Sequence, residues 1–115
     1  MTILQMKLVQ LSAQGVQMFR AARVDSNQSE VTKALRKIGC SVQLLHSVGK
    51  GCPDILVGYK CNNYLLEIKD GEKPESARKL TAEQVIWHFD WKGQVAVVNS
   101  PQEAIDTIRK LSGIV

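Results

Sequence analysis

Pro53-Asp54-Ile-Leu-Val-Gly-Tyr59, followed by Tyr64-Leu-Leu-Glu-Ile-Lys69, decides how this chain is read. Both segments are apolar and rich in β-branched and aromatic residues. The turn residues Lys60-Cys-Asn-Asn63 lie between them, so two strands of a hairpin are predicted, Asp54 to Tyr59 and Tyr64 to Lys69. Twelve residues separate Asp54 from Glu67, and Lys69 follows two positions later. Side chains two apart on a strand share a face, so Glu67 and Lys69 point together while Ile68 points into the core. With Tyr59 opposite Tyr64, Asp54 falls across from Lys69 and has Glu67 as its diagonal neighbour. A two-residue loop is expected to give the same pairing, whereas a three-residue loop would shift it by one and turn Asp54 to the other face.

Upstream, Val31, Ala34, Leu35 and Ile38 recur at helical spacing, with Ser26 or Asn27 as cap and Gly39 as stop. A strand is predicted over Val42 to His46, then a loop over Ser47 to Pro53 with two glycines and a proline. Downstream, Gly71 to Leu80 is charged, contains Pro74 and reads as a loop. Thr81-x-x-Gln84 has the form of a capping box, and Ala82, Val85, Ile86 and Phe89 give the next helix an apolar stripe. Gln94 to Val98 is a short buried strand. Ser100-Pro101-x-Glu103 then opens a last helix, whose stripe is Ala104, Ile105, Ile108 and Leu111 and whose stop is Gly113. The order α-β-β-β-α-β-α predicts an α/β fold, a mixed central sheet flanked by helices.

A chain of 115 residues and 12.8 kDa holds one core. Its net charge of +4 suits a polyanionic partner. The charge is uneven: Lys7, Arg20 and Arg23 precede the first acidic residue, Asp25, so residues 1–24 carry +3 of the +4. Residues 1–24 therefore read as a basic arm, a candidate for dimerisation, and residues 25–115 as the domain. Met1 to Leu11 is interrupted by Gln5, Lys7 and Gln10 and reads as neither signal peptide nor membrane span. Cys40, Cys52 and Cys61 are odd in number and without ligand spacing, and His46 and His88 fit no ligand pattern. A reduced, cytoplasmic protein without a zinc site is expected.

Two carboxylates side by side repel, and a divalent cation supplies the counter-charge. Oxygen-only ligands favour Mg²⁺ or Mn²⁺. Such an ion polarises a phosphate ester and activates water, and Lys69 beside it can orient that water or stabilise developing charge. The plain alternative is a surface hairpin whose Glu67 and Lys69 form a weak salt bridge.

Gly51-Cys-Pro-Asp-Ile-Leu-Val57, Leu65-Leu-Glu-Ile-Lys-Asp70 and Leu80-Thr-Ala-Glu-Gln-Val-Ile-Trp87 together resemble the virus-type replication-repair nuclease (VRR-NUC) family of the PD-(D/E)XK superfamily. The resemblance runs over roughly residues 27–100, including the first helix and the strand after the Trp-bearing helix. It implies metal binding by Asp54, Glu67 and the main-chain carbonyl of Ile68, and a Lys69 that serves the nucleophile. It also implies that Glu30 joins the acidic cluster from its helix and that Gln84 approaches from its own. Stand-alone members are similar to junction resolvases. The expected activity is therefore cleavage of branched DNA, with four-way (Holliday) junctions as substrate and a homodimer as the working form. A monomeric flap- or nick-directed nuclease and a non-catalytic DNA-binding module are the alternatives. Lys50, Lys73, Arg78 and Lys79 flank the active end of the hairpin and are expected to contact the DNA backbone. Trp87 and Trp91 can pack on the sheet, meet another subunit or touch DNA, with core packing expected, and His46 is expected to be structural.

Overall fold

The structure is a computed structural model and describes residues 26–113; the arm expected over residues 1–24 lies outside them. Helix α1 spans Ser26–Lys37, and strands β1 Ser41–Leu44, β2 Ile55–Tyr59 and β3 Asn62–Ile68 follow. A short 3-10 turn at Glu75–Ala77 leads to α2 (Ala82–Asp90), β4 (Val95–Val98) and α3 (Pro101–Leu111). The sheet runs β1-β2-β3-β4, antiparallel except for the parallel pair β3–β4. The described residues therefore form an α/β fold around a mixed four-stranded sheet with three helices.

The core lies on one face of that sheet. Val31 and Leu35 of α1 and Ala104 and Ile108 of α3 meet Ile55, Val57, Tyr64, Leu66, Ile68 and Val98. Alternation along β2 and β3 accounts for this set, and each fully buried aliphatic side chain contributes about 2 kcal/mol. The intervening residues, Glu67 among them, take the other face.

The hairpin closes more tightly than the sequence suggests. Tyr59 pairs with Asn62 instead of Tyr64, and Lys60 and Cys61 form a two-residue turn with φ of 49° and 67°. Two consecutive positive φ values, as in a type I′ turn, match the right-handed twist of the flanking strands. The register slips by two relative to the expected one. Ile55 pairs with Leu66, so the next step outward sets Asp54 against Glu67, not against Lys69. A shift of two preserves the face, and Asp54, Glu67 and Lys69 remain on one side.

Three other expectations change. Ser26 and Asn27 lie within α1 instead of ahead of it. The Asn27 amide donates to the carbonyls of Lys69 (2.6 Å) and Asn99 (3.4 Å), pinning the helix to the ends of β3 and β4. In α3, Ser100 Oγ accepts from the Glu103 amide (3.0 Å), but the Glu103 carboxylate accepts from Asn99 instead of closing the box. The α3 stripe also ends early, since Leu111 is exposed.

The largest departure is α2. Val85, Ile86 and Phe89 were expected to be buried and are 52%, 62% and 82% exposed. No residue of this helix is fully buried. Its attachment is polar and local: a capping box at Thr81–Gln84, a bond from Lys69, and the loop at Gly51 packed on its backbone.

Candidate active site

The end of the β2–β3 hairpin opens into a cleft of about 250 Å³, lined by Gln28, His46, Asp54, Glu67, Ile68, Lys69, Lys73 and Gln84 among others. β3 brings Glu67 and Lys69, and the residue preceding β2 brings Asp54. The Ile68 amide donates to Asp54 Oδ2 at 2.7 Å, which fixes that carboxylate against the strand. Lys69 Nζ stands 3.8 Å from Glu67 Oε2 and donates to Gln84 Oε1 at 3.0 Å.

Glu67 is 3% exposed, and its Oε1 has no hydrogen-bond partner. Burial, with the hydrogen bond and the charge of Asp54 added to it, pushes its carboxyl up to about 8, against a smaller opposing pull from Lys69. A buried carboxyl beside a second carboxylate resists ionisation, so Glu67 holds its proton more tightly than an exposed carboxyl does. Burial, then the charges of Glu67 and Asp54, also raise the Cys52 thiol, which stays protonated and is no nucleophile. Burial and then the Lys69 charge lower His88, keeping its imidazole neutral.

Gln84 carries two roles on one oxygen. Its Oε1 accepts from the Thr81 amide (2.9 Å) and from Lys69, while its own amide donates to Thr81 Oγ1 (3.2 Å). The capping box is complete, and the helix start is thereby tied to the hairpin.

Glu30 does not join the cluster. It is exposed and lines a separate cleft with Asp70, Arg78 and Glu103. Gln28, two positions earlier, faces the site instead: it is 4% exposed and its Nε2 lacks a partner. Gln28, Val31 and Leu35 follow one helical stripe, so its burial had a signal in the sequence, but the stripe does not say which cleft the amide lines. His46 also lines the cleft, with Nδ1 buried and unpartnered. Nothing in the spacing of a lone histidine announced it.

The four basic residues separate. Lys73 lines the cleft at the hairpin end and Lys50 lines a neighbouring one. Arg78 is half-buried, and its Nε donates to the Lys73 carbonyl (2.9 Å), bracing the loop. Lys79 is exposed. Trp87 and Trp91 do not enter the core. They stack on each other, centroids 4.8 Å apart and planes 17° apart, beside Lys50.

Among the described residues no three His, Cys, Asp or Glu side chains are grouped to hold a metal ion. The carboxylates that line the cleft are Asp54, Glu67 and Asp70, with Ile68 between them on the strand. No family model, curated protein or solved structure matches the chain. Among the described residues no helix is long and apolar enough to cross a membrane, and Cys40, Cys52 and Cys61 are free thiols.

Proposed function

We propose that this chain is a metal-dependent, structure-specific DNA endonuclease of the PD-(D/E)XK class, cleaving four-way junctions as a homodimer with Mg²⁺ or Mn²⁺. The pairing of Asp54 with a buried Glu67 whose Oε1 lacks a hydrogen-bond partner carries this reading, because a divalent cation between the two carboxylates would supply the missing counter-charge. Two carboxylates and a carbonyl suit an ion that keeps its remaining positions for water and a substrate phosphate. When bound, such an ion supplies Lewis-acid polarisation of the phosphodiester and a more acidic water.

The chain's own residues do the rest. Asp54, Glu67 and the Ile68 carbonyl would hold the cation. Lys69, fixed by Gln84, orients the attacking water and offsets charge building on the phosphate. The water oxygen bonds to phosphorus as the bond to the 3′-oxygen breaks. Lys73 at the cleft and Lys50 beside it contact the backbone of the incoming strand.

The test is purified protein with Mg²⁺ or Mn²⁺ against duplex, flap, fork and four-way-junction DNA, with EDTA and Asp54→Ala as controls. Paired symmetric cuts in junctions by a dimer are expected. Cutting of flaps alone by a monomer would replace the junction reading, and binding with no cleavage under either metal would leave a DNA-binding module.

A further inference from the structure

Gln84, Trp87 and Trp91 follow one another at spacings of three and four, so they lie along one side of α2 and its C-terminal cap. Gln84 holds Lys69 at the catalytic cleft. At 1.5 Å per residue, Trp91 stands roughly 10 Å further along, the rise of about three stacked bases. Here the stacked indoles, with Lys50, Glu83, Ile86 and Asp90, line a second cleft of about 510 Å³. Trp91 is 45% exposed and Ile86 62%.

We propose that this cleft takes one unstacked nucleobase of the substrate strand, laid against the Trp87–Trp91 pair with its phosphate on Lys50. The proposal rests on the nuclease reading and narrows its substrate to DNA with an unpaired base beside the scissile phosphate. Aromatic faces stack any base, so the contact reads strand state more than sequence. The charges decide which part of the nucleotide enters. Glu83 and Asp90 repel a phosphate but accept from the amino group of a base, whereas Lys50 attracts the backbone. Lys50 also sits in the loop that leads directly into Asp54, so a strand anchored there is already at the catalytic cleft. A fully stacked duplex offers the indoles nothing, while a branch point, flap or frayed end does.

The chain has two tryptophans, both in this cleft, so emission excited at the red edge, where tyrosine does not absorb, reports on this cleft. The full chain in EDTA is titrated with the oligonucleotide (dA)8 and with an abasic strand of the same length and the same number of phosphates. Quenching by (dA)8 is expected, with affinity about tenfold above that of the abasic strand. Trp91→Ala should lose that margin and Trp91→Phe recover most of it. Equal affinity for the two strands would overturn the proposal, and so would emission that ignores (dA)8 but shifts with protein concentration, since another protein surface would then cover the cleft. The comparison of strands uses the unaltered protein, so a variant that fails to fold leaves it intact. Base-dependent quenching without cleavage under any metal keeps the site and sinks the nuclease reading alone. Cleavage without base-dependent quenching sinks this site alone.

Discussion

Lys69 Nζ donates to Gln84 Oε1 at 3.0 Å, and this bond joins the hairpin to a helix that buries no residue fully. The same oxygen caps that helix through the Thr81 amide. The position of the ammonium at the cleft and the start of α2 are therefore set by one side chain, and a change to either is felt by the other.

Gln84→Ala removes the reciprocal half of the capping box, worth about 1 kcal/mol, and frees the Lys69 ammonium. Melting should fall by about 4 °C or more. If Lys69 acts in cleavage, the rate should drop at least about tenfold, because a wandering ammonium no longer orients water. Calorimetry and single-turnover cleavage read the two effects, and an unchanged rate beside a lowered melting point would confine Gln84 to capping.

The buried Glu67 carboxyl makes metal-free stability depend on pH. Its value is raised from 4.5 to about 8 in the folded chain. Below 4.5 the folded and unfolded chains both hold the proton; between 4.5 and 8 only the folded one does. Stability without metal should therefore fall as pH rises through that window and level off above it. A cation competes with that proton, so Mg²⁺ or Mn²⁺ should raise melting more at pH 8.5 than at pH 6. Glu67→Gln should remove both the metal response and this pH dependence. A metal response equal at both pH values, or one surviving in Glu67→Gln, would place the ion elsewhere.

Gly51 has φ of +84°, and a Cβ there would lie 2.5 Å from the Glu83 carbonyl oxygen, which is rigid backbone. Gly51→Ala should cost about 1–3 kcal/mol and push α2 away from the hairpin, loosening the Lys69–Gln84 bond. Gly49, with φ of +75° and nothing within 4 Å of a Cβ, is the matched control. Gly49→Ala carries only the backbone strain of about 1 kcal/mol. Denaturant melts of the pair should separate them, and equal losses would show that the loop does not bear on α2.

Glu30 and Gln28 should exchange the importance their charges suggest. Glu30→Ala, at an exposed position outside the Asp54–Glu67 cleft, should leave stability within about 0.5 kcal/mol and, if the chain cleaves DNA as proposed, the cleavage rate within twofold. Gln28→Ala, at a position 4% exposed and lining the cleft, should lower both. Loss of metal-dependent cleavage on Glu30→Ala would mean that α1 turns differently when metal and DNA are bound.

Much of the architecture was legible. Val31, Leu35, Ala104 and Ile108 mark helix stripes by spacing, and Ile55, Val57, Tyr64 and Leu66 mark strand faces by alternation. The shared face of Asp54, Glu67 and Lys69 followed from the same period of two, which a slip of two residues leaves unchanged. The slip itself was not legible, because Lys60-Cys61 lacks the Asn-Gly or Asp-Gly signature of a tight turn and adopts positive φ without glycine. The apolar stripe of α2 misled for a different reason. Periodicity shows that a helix has an apolar side, but not whether anything packs on it, and Phe89 is 82% exposed.

Local sequence rules therefore determined the strands, the helix starts at Thr81 and Ser100, and the residue types able to hold a cation. These depend on neighbours a few positions apart. Only the tertiary structure decided that Asp54 faces Glu67, that Gln28 and not Glu30 closes the cleft, and that Gln84 holds Lys69. It likewise set the two tryptophans on each other beside Lys50. Each of these is a contact between elements, fixed by how α1, α2 and the hairpin dock, and docking is a sum over the whole core that no short stretch of sequence contains.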